Sequence, residues 1–201
     1  MATQATRPAF TAIRREMWEP LLQVADAPVG AGASVEARLA RIEDEMAVRD
    51  LLVKYAYSYD ANDIEGVMSV FHPDVVLVNP RGTFIGADAV RRNYQHLLTT
   101  RRYSFHHVTN VTVRFSEDRN EALASSYWTD KHVGRSGSID GSDGTYLDRV
   151  VRSGDEWKII ELRITANIFY VMTPLPDPWP PLPEPSKQEG TREWVGPTYV
   201  R

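Results

Sequence analysis

A chain of 201 residues suits one domain with extensions better than two domains. Its 42% apolar and 25% charged residues are ordinary for a globular protein, and a formal charge of −4 provides no basic stripe to track a nucleic-acid backbone. The absence of cysteine excludes disulfides, thiolate nucleophiles and cysteine-held zinc or iron–sulfur centres, and it fits a reducing cytoplasm. The N-terminal residues lack the charged-then-apolar order of a secretory signal, and no apolar run approaches the ~20 residues that span a bilayer. A soluble cytoplasmic protein is expected, with no nucleic-acid or membrane partner.

Residues 1–33 read as an N-terminal extension, in which Trp18 and its apolar neighbours could dock on the domain and 27–33 form a Pro/Gly/Ala linker. Ser34 is the candidate N-cap of a long helix. In it Leu39, Ile42, Met46, Leu51, Leu52, Tyr55 and Tyr59 recur at roughly three-to-four spacing, a stripe that should lie on a sheet. Asp63 can cap a second helix carrying Ile64, Val67, Met68 and Phe71, which Pro73 prevents from continuing. A third helix is expected over 87–98.

Strand patterns occupy 75–79 and 83–85, on either side of Pro80-Arg81-Gly82, and then 102–116, 121–134, 145–153 and 156–171. The Gly/Ser/Asp segment 134–144 reads as a turn. Helices early and strands late imply an α+β domain over 34–172 with an antiparallel sheet. Beyond 172 the chain becomes Pro-rich. This 173–201 tail carries Trp179, Trp194 and Tyr199, more aromatic surface than a solvated linker needs, and is expected to pack on the domain or a neighbouring subunit.

Chemistry concentrates at Ser58-Tyr59-Asp60, closing the long helix, and at His106-His107 in a later strand. Over 105–115 the odd positions are Phe105, His107, Thr109, Val111, Val113 and Phe115, the more apolar set, so His107 is expected inside and His106 outside. Over 122–132 the even positions run Ala122, Ala124, Ser126, Trp128, Asp130 and His132: small residues able to receive a helix, then a pocket mouth. A half-buried Asp60 at the unfavourable end of a helix dipole needs a partner, and an imidazole is the natural one. Such a dyad can take a proton from a carbon without metal or organic cofactor. Taken singly, Asp60 has the ordinary role of a turn acid, His107 of a satisfied core histidine, and His132 of a solvated strand end. Tyr55, Tyr57 and Tyr59 are as readily packing residues.

At these residues the chain resembles the SnoaL-like branch of the nuclear-transport-factor-2-like superfamily, and within it the scytalone dehydratases and hexachlorocyclohexane dehydrochlorinases. The likeness covers roughly 36–172. It is carried by Ser58-Tyr59-Asp60-Ala61-Asn62-Asp63, His107-Val108-Thr109-Asn110, His132, Gly144-Thr145-Tyr146-Leu147-Asp148, Glu156-Trp157-Lys158-Ile159 and the exit around Asn167–Pro174. The resemblance implies a cone-shaped curved sheet wrapped around three N-terminal helices, a cystatin-like α+β barrel. It implies Asp60 and His107 as the dyad, His132 as a second proton-handling group and Tyr59 as a donor toward substrate. Tyr55, Asn79, Phe105, Trp128 and Tyr146 are the expected substrate-binding wall. Two departures stand out: Asn79 occupies the place of a family tyrosine, and Ile160 that of a dehydrochlorinase arginine, with Arg163 nearby but out of register.

The implied activity is a cofactor-independent lyase on a small apolar aromatic or polycyclic substrate, by dehydratase-type elimination or by side-chain cleavage releasing a small aldehyde. The alternatives are a non-catalytic small subunit of a ring-hydroxylating dioxygenase, or an isomerase of ketosteroid-isomerase type. A metal set of Asp60, His107 and His132 is formally available, but the resemblance is to metal-free enzymes, so neither metal nor cofactor is expected. A homo-oligomer is expected, a trimer ahead of a dimer.

Overall fold

The computed structural model describes Gly30, residues 32–134 and residues 138–172. The expectations for the arm around Trp18 and for the Pro-rich tail lie outside the described residues. No described helix is long and apolar enough to cross a membrane.

Helix α1 spans Val35–Asp60, and the Ser34 hydroxyl caps it by accepting the Ala37 N–H at 3.2 Å. It ends where Asn62 takes a φ of 59°, a left-handed backbone that asparagine tolerates well. The face that α1 buries differs from the apolar stripe of the sequence. Val48, Leu52, Tyr55 and Tyr59 pack inward, and the same face continues toward the N-terminus through Asp44 and Arg41. Asp44 accepts the Trp157 Nε1–H at 3.3 Å and pairs with Arg152 at 2.5 Å, while the Arg41 guanidinium lies 4.1 Å over the Phe115 ring. These polar and cation–π contacts set the rotation of the first turns. Leu39, Ile42 and Met46 are thereby turned to the surface, each more than half exposed.

Helix α2 (Ile64–Ser69) is capped by Asp63, whose Oδ1 accepts the Gly66 N–H at 2.9 Å. It stops short of the expected end: Phe71 already begins strand β1 (Phe71–Asn79). Pro73 sits inside β1 where its ladder to the neighbouring strand is interrupted, between Phe71 and Val76, so no sheet hydrogen bond is lost to it. Strand β2 (Gly82–Ile85) completes a hairpin, followed by α3 (Ala87–Thr100) and the long strands β3 (Arg101–Phe115), β4 (Glu121–Gly134), β5 (Ile139–Ser153) and β6 (Glu156–Met172).

The six strands form one curved, unclosed sheet in the order β2-β1-β6-β5-β4-β3. All neighbours are antiparallel except β1 and β6, which run parallel with Leu77 opposite Leu162. The sheet is therefore mixed, not wholly antiparallel; α3 and the meander β3–β5 supply the long connection that a parallel pair requires. Strand β5 starts six residues before the expected 145, since Gly141–Gly144 are sheet residues. Their glycines serve close approach: a Cβ at Gly141 would stand 2.5 Å from the Asp130 carbonyl oxygen, and one at Gly144 2.8 Å from Cζ2 of Trp128. The core lies between α1, α3 and the concave face, around Leu52, Val67, Leu77, Val90, Phe115 and Ile159.

Candidate active site

The concave face and the C-terminal half of α1 enclose a cavity of about 220 Å³, lined on the helical side by Tyr55, Tyr59, Tyr94 and Leu97 and on the sheet side by His106, Trp128, Asp130, Ser142 and Tyr146. Asn79, Pro80 and Arg81 of the β1–β2 turn, Arg101, and Ile164, Ala166 and Phe169 of β6 complete it.

His106, not His107, meets Asp60. The Asp60 Oδ1 lies 2.6 Å from His106 Nδ1, and its Oδ2 accepts the His106 backbone N–H at 2.7 Å. The cause is a β-bulge. Pairing runs in step from Phe105↔Lys131 to Thr109↔Tyr127, then resumes at Thr112↔Ser125, so β3 holds one residue more than β4 there, and Asn110 has a φ of 54°. One extra residue reverses the facing of everything on one side of it. Beyond the bulge the odd residues Val113 and Phe115 are buried as expected, but before it Ser104 and His106 point inward. Phe105 and His107 are turned to the convex face, Phe105 with 65% of its surface exposed, so neither lines the cavity.

The even face of β4 is inward as expected, and cross-strand register places Asp130 opposite both His106 and Ser142. Asp130 is buried. Its Oδ2 is 3.3 Å from Arg101 Nη1 and 3.2 Å from His132 Nδ1, and its Oδ1 is 3.9 Å from His106 Nε2. Burial pushes this carboxyl up, but the His132 hydrogen bond and the charges of His106 and Arg101 outweigh burial and hold it below the usual carboxylate range. His132 itself does not line the cavity. It lies one row further toward the strand end, between Asp130 and Asp140, and borders a neighbouring hollow with Arg101 and Tyr170. Asp60, His107 and His132 do not converge, and the described residues contain no group of three or more His, Asp or Glu able to hold a metal ion.

Four tyrosines form the apolar wall. Tyr55 and Tyr94 share a hydroxyl–hydroxyl hydrogen bond of 2.9 Å, Tyr146 stacks on Trp128 at 5.6 Å, and Tyr59 meets the His106 ring edge-on at 4.8 Å. Burial raises all four phenols, Tyr59 to about 12, so at neutral pH they are protonated donors and not bases. Of the expected wall, Tyr55, Asn79, Trp128 and Tyr146 line the cavity, as does Tyr59. Sequence reasoning missed His106, Arg101, Tyr94 and Ser142, and passed over Asp130 although its face was assigned. The one available signal for His106 was Asn110, an asparagine at mid-strand where a left-handed bulge residue can sit.

Asp148 lies behind Tyr146 on β5, 1% exposed, with no hydrogen bond to its Oδ2. Burial raises its carboxyl well above the ordinary range, so the folded protein holds it neutral. A carboxyl raised on folding contributes fully below its unfolded pKa of ~3.9, and the contribution is lost as pH rises toward the folded value. Asp148→Asn cannot ionise and escapes that loss. The melting temperature of the variant relative to wild type should therefore climb between pH 4 and pH 8, by about 3 °C or more; a difference flat with pH, read by circular dichroism, contradicts this assignment.

A concave open sheet over helices, with the cavity between them, defines the nuclear-transport-factor-2-like class. Within it the chain belongs to the SnoaL-like domain family, whose profile matches residues 40–163. Among solved structures, a candidate aromatic ring hydroxylase from Novosphingobium aromaticivorans is 25% identical, with a TM-score of 0.61 over 65% of this chain and 94% of that one. A candidate scytalone dehydratase from the same organism is 22% identical, with a TM-score of 0.61 over 70% and 93%. A hexachlorocyclohexane dehydrochlorinase is 16% identical, with a TM-score of 0.65 over 72% and 99%. No protein of curated function matches the chain. The fold is compatible with lyase chemistry, and fold alone does not assign it.

Proposed function

We propose that the protein is a cofactor-independent lyase in which His106, oriented by Asp60, removes a proton from a small, largely apolar aromatic or polycyclic substrate. The observation that carries this reading is the two-point grip of Asp60 on His106, at 2.6 Å to Nδ1 and 2.7 Å to the backbone nitrogen. An ionised carboxylate only accepts, so the imidazole proton sits on Nδ1 and the lone pair on Nε2, beside the cavity's polar wall. Nε2 would take the C–H proton as the double bond forms, and the imidazolium so produced would return a proton to the departing hydroxyl, releasing water. Tyr59, a neutral donor at the ring's edge, would hold a substrate oxygen. Removing instead the proton of a side-chain hydroxyl would direct the same base toward carbon–carbon cleavage and loss of a small aldehyde. The tyrosine wall supplies apolar contact with few polar anchors, as small-molecule sites do.

The test is a panel of hydroxylated arylalkyl compounds followed by absorbance for a new conjugated alkene and by aldehyde release. Asp60→Asn would let the amide donate to Nδ1 and shift the imidazole proton to Nε2, so turnover should fall roughly 10²–10⁴-fold with the circular dichroism spectrum unchanged. Retention of rate in that variant removes the dyad from the mechanism.

A second reading is favoured by a separate observation. Val35, Leu39, Ile42, Met46, Val53 and Tyr57 form an exposed apolar stripe along α1, while Tyr103, Phe105 and Tyr127 lie exposed on the sheet. Surfaces of this kind suit subunit contacts, either in a homotrimer or, without catalysis, in a ring-hydroxylating assembly. Light scattering of the purified protein, together with co-purification of an oxygenase chain, separates the two.

A further inference from the structure

Asp60 holds the His106 ring at Nδ1, and a second carboxylate faces the other ring nitrogen: Asp130 Oδ1 lies 3.9 Å from Nε2. That separation is about 1 Å beyond hydrogen-bond length. Oδ2 of the same carboxylate stands closer to its own partners, 3.2 Å from His132 Nδ1 and 3.3 Å from Arg101 Nη1. A lone pair on Nε2 opposite a carboxylate oxygen keeps such a distance, since neither has a proton to share. Oδ1 makes no hydrogen bond, so no other donor draws on its charge. The His106 and Asp130 side chains are 6% and 4% exposed, and little water screens one from the other.

We propose that Asp130 is the charge partner of the protonated base: a carboxylate, held in place by Arg101 and His132, that stabilises the His106 imidazolium formed when Nε2 takes a substrate proton. At rest the neutral ring gains nothing from the oxygen beside it. Once the N–H bond forms at Nε2 and the C–H bond breaks, a positive charge faces a fixed negative one across 3.9 Å. An interaction that exists only as the proton transfers lowers the barrier without tightening substrate binding. The reverse side of this coupling shows on Asp130: burial raises its carboxyl, and His132, His106 and Arg101 together outweigh burial. Coupling between two sites is reciprocal, so a carboxylate favoured by a charged imidazole favours that charge in return.

Asp130 is thus a positioning residue that acts through His106. His132, outside the cavity, steadies it from behind, because its other nitrogen pairs with Asp140 of β5. The inference rests on His106 being the proton acceptor proposed above, and it assigns the partner of that acceptor's charge whatever the substrate.

The charged and titratable groups around His106 are Asp60 and the neutral Tyr59 phenol from α1, Arg101 at the start of β3, and Asp130 with His132 behind it from β4. Their signs make two variants move in opposite directions. Nitrogen NMR of the full chain, without substrate, reads the charged fraction of the His106 ring, whose signal is assigned by its loss in His106→Ala. At the pH where the wild-type ring is half charged, Asp130→Asn should lower the ratio of charged to neutral ring about tenfold. Arg101→Gln, which removes a cation from the same carboxylate, should raise that ratio about threefold. Asp130→Glu keeps the charge and should stay within about threefold of wild type. General loosening of the cavity would admit water in both Asp130→Asn and Arg101→Gln and move their ratios together. With a substrate in hand, Asp130→Asn should lower kcat about tenfold or more while KM holds within about threefold.

An unchanged ratio in Asp130→Asn overturns the proposal, and it does so with no substrate known. A fall in Arg101→Gln overturns it too, and supplies an independent reading should Asp130→Asn fail to fold. So does a loss confined to KM. Full turnover in His106→Ala would instead remove the proton acceptor, a failure of the earlier reading that the rate shows and the substrate-free ratio does not.

Discussion

His106→Ala should lower turnover by about 10²–10⁴-fold, the usual contribution of a positioned general base, while His107→Ala, one residue further on, should leave it within a factor of about three. The two substitutions are the same in chemistry and opposite in facing. His106 is gripped by Asp60 and lines the cavity; His107 is exposed on the convex side of the sheet, where substitutions cost about 0.5 kcal/mol or less. The comparison needs only a substrate from the hydroxyaryl panel and steady-state rates. Equal losses in the two variants, or a larger loss in His107→Ala, would remove the role of the bulge and return the dyad to the odd face of β3.

Gly144→Ala should be the most damaging single-methyl change in the domain. Gly144 pairs opposite Trp128 at an irregular step of the β5–β6 ladder, and the added carbon would collide with the Thr165 carbonyl oxygen as well as with Cζ2 of Trp128 at 2.8 Å. Backbone oxygen cannot swing aside, so either β6 shifts or the indole leaves its stack on Tyr146. Overpacking of this kind costs about 3 kcal/mol, a fall in Tm near 10 °C for a domain of this size, and the displaced indole should also weaken arene binding. Gly66→Ala is the control. There the added carbon meets the side chains of Asp63 and Ser58, which can rotate away at the expense of a cap. A Gly144→Ala protein that melts with the wild type would show that the Trp128 wall is looser than its contacts indicate.

The two substitutions show where sequence reasoning succeeds and where it stops. Ser34 and Asp63 cap α1 and α2 as their residue types announce, because an N-cap is a contact between a side chain and a backbone nitrogen three residues on. The inward face of β4 was legible for the same reason: β4 itself holds no extra residue, its register with β5 is unbroken, and Trp128 and Asp130 follow Ala122, Ala124 and Ser126 on it. Asp60 at the end of α1 was marked by its place at the close of a periodic run. On β3 the same parity argument failed at His106, since the bulge at Asn110 depends on how β4 pairs, and pairing is not a property of β3.

The local sequence determined the helices, most of the strands, the caps and the acid that closes α1, all of which depend on interactions spanning a few residues. Tertiary structure alone decided that β1 runs parallel to β6, that Arg41 and Asp44 turn α1 so that Leu39, Ile42 and Met46 face outward, and that Arg101 reaches Asp130 across 29 residues of chain. It also decided which of two adjacent histidines serves the cavity. The reason is physical: a strand's facing has a period of two, so a single extra residue in one partner inverts it, and only the neighbouring strand records where that residue has been inserted.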